Sequence, residues 1–217
     1  VIVCYSGYGD HRDLRSFPTR RSSELGYARR IARAQEPAVP PSAEDLQRWR
    51  KLCADMLVEP SPFNNAMHLI STARDALVAS GMQRVMLLMP DKSTGVLRVH
   101  QLAGLGTENA SLQFPIKDSK VLERLLTQPT QLRITPANHG QFAALLPPIF
   151  KSLFKGHHLL IRSLSCNGKV LILAIADQGG SPMSEITVQA FGKSAQCVER
   201  VLANFTQLKS AGRPKPE

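Results

Sequence analysis

The clearest pattern of hydrophobic positions lies between residues 157 and 177, where two apolar runs flank Asn167-Gly168. The Asn-Gly pair readily adopts positive φ at both central positions of a type I′ turn, so the pattern predicts a β-hairpin. Most side chains in the two runs together are apolar, which is typical of strands covered on both faces. We therefore expect this hairpin in the centre of a sheet that has helices on both sides.

A second hairpin is predicted upstream. Residues 83–89 form a largely apolar run, and residues 96–103 alternate between apolar and polar side chains. Alternation of this kind is typical of a half-buried strand. Residues 90–95 contain Pro, Asp and Gly and are expected to turn the chain. Two shorter segments, 111–116 and 131–134, bring the predicted sheet to about six strands.

Helices are predicted between the strands and at both ends of the fold. Ser42 begins the first, because its hydroxyl can accept from free amides and Glu44 and Asp45 suit the positive helix end. This helix ends before Pro60, and the others cover 63–80, 120–127, 141–146, 148–154 and 184–208. The predicted class is α+β: an antiparallel sheet between helices, with long N- and C-terminal helices.

Both terminal helices carry a narrow apolar stripe with alternating spacings of three and four residues. Such a stripe suits nearly parallel helix packing. One hypothesis is a two-fold helical bundle in a homodimer. The alternative is that both stripes pack on each other and on their own sheet within one chain. The residues of the predicted dimer seam are Trp49, Cys53, Phe191, Val198, Leu202 and Phe205.

Composition divides the chain into four segments. Residues 1–25 resemble translated sequencing-adapter read-through and are expected to be artefactual or disordered; the alternative is a basic tail. Residues 26–41 indicate the end of an upstream domain and a Pro-rich linker. One folded domain is expected over 42–210 and a disordered tail over 211–217. Because the first methionine is Met56, we expect a fragment of a longer protein.

Charge and motifs exclude several functional classes. The formal net charge is +10, but the basic residues are scattered and do not alternate with stacking aromatics, so we do not expect nucleic-acid binding. No apolar run is long enough to span a membrane. The four cysteines form no CxxC pair, which favours a reduced, cytoplasmic setting without a zinc site. We expect no enzyme, because GxSxG, HExxH and P-loop motifs are absent.

Three segments carry a family resemblance: 84–104, 111–126 and the final hairpin with 191–202. Over about residues 45–208 the chain resembles the GAF domain, a small sensory fold. The upstream helix and Pro-rich linker are similar to the join between an HDOD domain and a C-terminal GAF-like domain in bacterial signalling proteins. The resemblance implies a non-catalytic module that binds a small molecule or relays a signal.

The resemblance also implies a ligand pocket between the sheet and the helices that connect its strands. The residues nominated by position are His100, Phe114, Asn138, His139, Phe142 and Arg162. Arg162 lies in an apolar strand and should pair with an acid or face a polar cavity, since an unpaired buried charge is costly. A solvent-facing side chain is the alternative for His100 and Arg162, and plain turn chemistry is the alternative for Asn138 and His139.

Cofactors and metals are not expected. The chain lacks the NKFDE-type motif of cyclic-nucleotide-binding members and has no cysteine near Asn138 for a bilin. His157 and His158 are neighbours on a strand, so their side chains should point to opposite faces and cannot share a metal. The predicted function is a cytoplasmic sensory module joined to an upstream signalling domain. The alternative is a basic nucleic-acid-binding, scaffold or dimerisation module.

Overall fold

The computed structural model describes residues 37–59, 61–63, 65–154 and 157–211, with side chains described up to residue 204. The predictions for residues 1–36 and 212–217 therefore lie outside the described residues. Within the described part of the linker, Val39 forms a parallel bridge with Met183, and its carbonyl oxygen accepts a hydrogen bond from Gln178 Nε2 at 3.1 Å. The linker is thus attached to the fold just before the last helix.

Six strands form one antiparallel sheet in the order β3-β2-β1-β6-β5-β4. The strands are β1 Arg84–Asp91, β2 Val96–Ala103, β3 Gln113–Pro115, β4 Gln131–Ile134, β5 Leu159–Cys166 and β6 Lys169–Asp177. The predicted α+β class with a six-stranded antiparallel sheet is confirmed.

The hairpin predicted around Asn167-Gly168 is confirmed. Cys166 pairs with Lys169, and the two residues between them have φ values of 52° and 75°, as a type I′ turn requires. β6 lies beside β1 in the middle of the sheet, and β5 lies between β6 and the edge strand β4.

Helices cover both faces of the sheet. They are α1 Ala43–Met56, α2 Ala66–Ala79, α3 Lys120–Thr127, α4 His139–Phe142, α5 Pro148–Leu153 and α6 Glu185–Ala211. One hydrophobic core joins the sheet to α1, α2 and α6, and a second joins its other face to α3 and α5. These two sides are called the terminal-helix face and the crossover face below.

Some element bounds differ from the prediction because local hydrogen bonds set where the elements begin and end. α2 begins at Ala66 rather than residue 63, since Asn65 Oδ1 accepts from His68 N at 2.8 Å and caps the helix. β3 is shortened by 3₁₀ turns on both sides, Thr107–Ser111 and Ile116–Asp118. No helix among the described residues is long and apolar enough to cross a membrane.

Candidate functional site

Aromatic side chains fill the space between the sheet and the crossover helices. Phe114 of β3 packs edge-to-face on Phe150 of α5, with ring centroids 5.1 Å apart, and Phe150 packs in the same way on Phe154 at 5.9 Å. All three rings are buried. The region where the resemblance implies a ligand is therefore occupied by the protein's own core.

A small cavity remains at one end of this aromatic cluster, with a volume of about 30 Å³. Its lining residues are Ile134, His139, Ala143, Leu146, Phe150, Lys151, Phe154 and Leu159. This volume holds about one water molecule, whereas pockets for metabolites measure about 300–1,000 Å³. A larger ligand on the crossover face requires Phe150 or α4 to move.

Three of the nominated residues, in segment 138–142, lie at this end of the sheet. His139 packs edge-to-face on His157, with ring centroids 4.2 Å apart, and burial together with the charge of His157 lowers the pKa of its imidazole. Phe142 packs against the crossover-face core. The amide of Asn138 closes the preceding turn instead: its Oδ1 accepts from Thr135 N at 2.7 Å, and its Nδ2 donates to the backbone carbonyl of residue 133.

His100 occupies an irregular position in β2. Val99 pairs with Leu88 and Gln101 pairs with Leu87, so His100 is the extra residue of a β-bulge. It is not among the residues that line the small cavity near His139. Of the six nominated residues, only His139 lines that cavity, while Phe114 and Phe142 pack in the core around it.

The grouping of Arg162 with the crossover-face residues is wrong. Arg162 shares its side of β5 with Leu160 and Leu164, which belong to the terminal-helix core. Its Nη2 donates to Glu199 Oε2 of α6 at 3.3 Å, and its Nη1 donates to Gln131 Oε1 at 3.3 Å. The arginine therefore has the acidic partner that its position in an apolar strand requires.

Larger open volumes lie on the terminal-helix side. A groove of about 580 Å³ runs between α1 and α6, and an adjoining pocket of about 290 Å³ lies at the end of α1. The residues that line the groove are Trp49, Cys53, Leu57, Lys193, Gln196, Cys197, Glu199 and Arg200. The indole Nε1 of Trp49 donates to Ser194 Oγ at 2.8 Å, which joins the two helices beside this groove.

Three residues of the predicted dimer seam are buried within their own chain. Phe191, Val198 and Leu202 belong to the core between α6, α2 and the sheet. This is the packing that the alternative hypothesis described. Trp49 and Cys53 face the groove, and the side chain of Phe205 lies outside the described residues. The dimer stays a prediction, and a contact that leaves the core intact must use other surfaces.

Cys197 is a groove residue that the sequence analysis missed. It lines this groove together with Cys53 of the facing helix, and both cysteines are free. The two are far apart in sequence, so a search for CxxC spacing could not find them. The available signal was their location on the two terminal helices. Among the described residues, no three His, Cys, Asp or Glu side chains are close enough together to hold a metal ion.

Comparison with known proteins rests on structure alone, because the sequence matches no protein-family model and no curated protein. The GAF domain of an Acinetobacter phosphoenolpyruvate-protein phosphotransferase has a similar structure, with a TM-score of 0.54 and 13% identity. The match covers 81% of this chain and 99% of that one. The chain has a GAF fold.

Two further solved structures agree with this fold. The GAF domain/HD domain protein from Geobacter sulfurreducens has a TM-score of 0.54 and 13% identity, covering 68% of this chain and 98% of that one. The phycocyanobilin-bound GAF domain from a cyanobacterial phytochrome has a TM-score of 0.56 and 14% identity, covering 75% and 96%. At such low identity the shared GAF fold identifies neither a ligand nor an output.

Proposed function

We propose that this chain is a non-catalytic GAF-like regulatory module that relays a signal through its terminal helices. In this proposal it belongs to a cytoplasmic bacterial signalling protein of the HDOD type, in which α1 and the linker connect it to an upstream domain. The single observation that carries the proposal is the joining of α1 to α6 across an open groove, through Trp49 and Ser194.

The way α1 is held on the domain allows it to shift relative to α6. Of the described side chains of α1, only Met56 is buried, whereas α2 and α6 each contribute many residues to the core. A helix held by few buried contacts can change position at low free-energy cost. Any event that alters the packing of α1 on α6 is therefore passed to the linker, whose Val39 is bound near the start of α6.

Direct ligand binding on the crossover face is the second candidate, and the edge-to-face pair of His139 and His157 favours it. Because Phe150 fills that space, binding there would select a less populated state in which the aromatic cluster is open. A thermal-shift screen with a metabolite library tests this candidate. A hit whose shift persists in His139→Ala and Phe142→Ala variants would argue against the crossover face.

Hydrogen exchange in the 217-residue chain tests the relay. Ser194→Ala removes the acceptor of the Trp49 indole, and we expect faster amide exchange in α1 and altered exchange in the segment that precedes it. Ser152→Ala is the matched control: its hydroxyl donates to the backbone carbonyl of residue 149 on the crossover side. Faster exchange in α1 with an unchanged upstream segment would contradict the relay.

A further inference from the structure

We propose that Cys197 and Cys53 form a peroxide-sensitive thiol pair that oxidises to a disulfide between α6 and α1. Both thiols are free and partly exposed, and both line the groove between the helices. A small peroxide can therefore reach them from solvent. This inference concerns a modification site and does not depend on the proposed relay.

The geometry allows the bond to close with a small movement. Cys53 lies one turn after Trp49 in α1, and Cys197 lies one turn after Ser194 in α6; the side chains of Trp49 and Ser194 are hydrogen-bonded at 2.8 Å. The two cysteines therefore lie at the same level of the facing helices, and a disulfide would bring their sulfur atoms to about 2.05 Å. The helix that must approach is α1, in which Met56 is the only described side chain that is buried. The opposing helix α6 is fixed to the sheet by Glu199, which accepts from Ser165 N at 2.9 Å and from Arg162.

The surroundings assign different roles to the two sulfur atoms. The interaction with the Cys53 thiol lowers the pKa of the Cys197 thiol to about 7, and the positive charge of Arg200 adds to this effect. The same interaction, together with burial, raises the pKa of Cys53. Because a thiolate is the nucleophile in thiol oxidation, Cys197 reacts first and Cys53 acts second.

The reaction is a two-electron oxidation by a hydroperoxide. The Cys197 thiolate attacks one peroxide oxygen; the S–O bond forms, the O–O bond breaks, and the leaving oxygen takes a proton to give water or an alcohol. Cys53 Sγ then attacks the sulfenic sulfur of Cys197; the S–S bond forms, the S–O bond breaks, and the hydroxide leaves as water with the Cys53 proton. A dithiol reductant reverses the change by thiol–disulfide exchange.

Peptide mapping of the 217-residue chain tests this proposal. After treatment with hydrogen peroxide, alkylation and proteolysis without reductant, we expect a linked peptide pair containing Cys53 and Cys197. The closed loop should raise the melting temperature by about 5–15 °C, and dithiothreitol should reverse the rise. Absence of this linkage, or linkage of other cysteines at the same rate, would overturn the proposal.

Two single variants test the order of the steps. In Cys53→Ser the sulfenic acid at Cys197 cannot be resolved, so a dimedone adduct should accumulate there, whereas Cys197→Ser should give at least tenfold less adduct at Cys53. Equal labelling of the two sites would refute the assigned roles. Arg200→Gln should slow adduct formation in the Cys53→Ser background at neutral pH. Lys193→Gln, in the same groove, is the control for loss of one positive charge.

Diamide separates failure of the geometry from failure of the peroxide chemistry. This oxidant forms disulfides between neighbouring thiols without a sulfenic intermediate. Linkage by both reagents supports the whole proposal. Linkage by diamide alone would overturn the peroxide step, and linkage by neither would overturn the geometry.

Discussion

Arg84 and Asp177 stand opposite each other in the register of β1 and β6, and their side chains form a bidentate ion pair. Arg84 Nε donates to Asp177 Oδ1 at 2.7 Å, and Arg84 Nη2 contacts Oδ2. The remaining nitrogen, Nη1, donates to the carbonyl oxygen of Leu153 at 3.0 Å, and the guanidinium lies 5.9 Å from the ring centroid of Phe154. The pair thus ties the centre of the sheet to the crossover segment.

Because this ion pair is buried, we expect that removing one of its charges lowers the free energy of unfolding strongly. The side chain of Asp177 is 0% exposed and that of Arg84 is 12% exposed. Asp177→Asn leaves the guanidinium buried without a counter-charge, so we expect the free energy of unfolding to fall by about 3–5 kcal/mol. Urea denaturation at neutral pH measures this change.

The matched control is Glu185→Gln, which removes the acidic partner of Arg133. The side chain of Glu185 is 69% exposed, so this pair is screened by solvent. Its loss should cost less than about 1 kcal/mol. Similar losses for the two variants would mean that burial does not set the strength of the Arg84–Asp177 pair.

Local signals account for the parts of the fold that could be predicted from the sequence. The turn at Asn167-Gly168 fixed the final hairpin, and Ser119, whose Oγ accepts from Leu122 N, marked the start of α3 at its predicted position. Capping residues and turn dipeptides act over a few residues, so they can be recognised without knowledge of the rest of the chain.

The candidate site was harder to predict because its contacts join distant segments. Alternation along β5 indicates that Arg162 and Ile161 face opposite sides, but not which side carries α6 and its Glu199. The bulge at His100 appears only in the pairing of β2 with β1. That Cys53 and Cys197 line one groove likewise depends on how α1 packs on α6.

Buried histidine makes the stability depend on pH. His158 is 8% exposed, and its Nε2 has no hydrogen-bond partner among the described residues. Burial, with the charges of Arg133 and His157, lowers the pKa of His158 from the ordinary value of 6.5. As the pH falls below 6.5, the unfolded chain takes up a proton at His158 that the folded chain does not. The contribution of neutral His158 to the free energy of unfolding is therefore complete above this pH and is lost as the pH falls below it.

Melting temperatures at pH values of about 7.5 and 5.5 measure this dependence. His158→Gln should show a smaller difference between the two conditions than the unchanged chain. His68→Gln, at an exposed position, should keep the full difference. If His158→Gln and His68→Gln behave alike, other groups cause the pH dependence.

Phe150 determines whether the crossover face is closed. Its ring is 2% exposed and packs between Phe114 and Phe154. We expect Phe150→Ala to lower the free energy of unfolding by about 3–5 kcal/mol and to open a cavity that binds benzene. Ile149→Ala is the neighbouring control, because this side chain is 36% exposed and should change stability little. Absence of benzene binding in Phe150→Ala would indicate that the cluster collapses.

The positive charge of the chain leads to a prediction about nucleic acid. The formal net charge is +10, but the regulatory proposal requires no nucleic-acid partner. We expect no retention of the chain on immobilised DNA or RNA at about 150 mM salt. Retention at low salt that falls steeply as salt is added would favour the alternative of a nucleic-acid-binding module. An equally basic folded protein serves as the control for non-specific attraction.

The predicted homodimer can be tested with two substitutions of different burial. Phe191 is fully buried in its own chain, so Phe191→Asp should unfold the domain and lose helical circular dichroism. Leu57 is 37% exposed beside the groove between α1 and α6, so Leu57→Asp should keep the fold. If the terminal helices form the two-fold contact, sedimentation of the unchanged chain gives the mass of two chains and Leu57→Asp gives the mass of one. If the unchanged chain sediments with the mass of one chain, the dimer is ruled out. The apolar stripes on the terminal helices then pack only within one molecule.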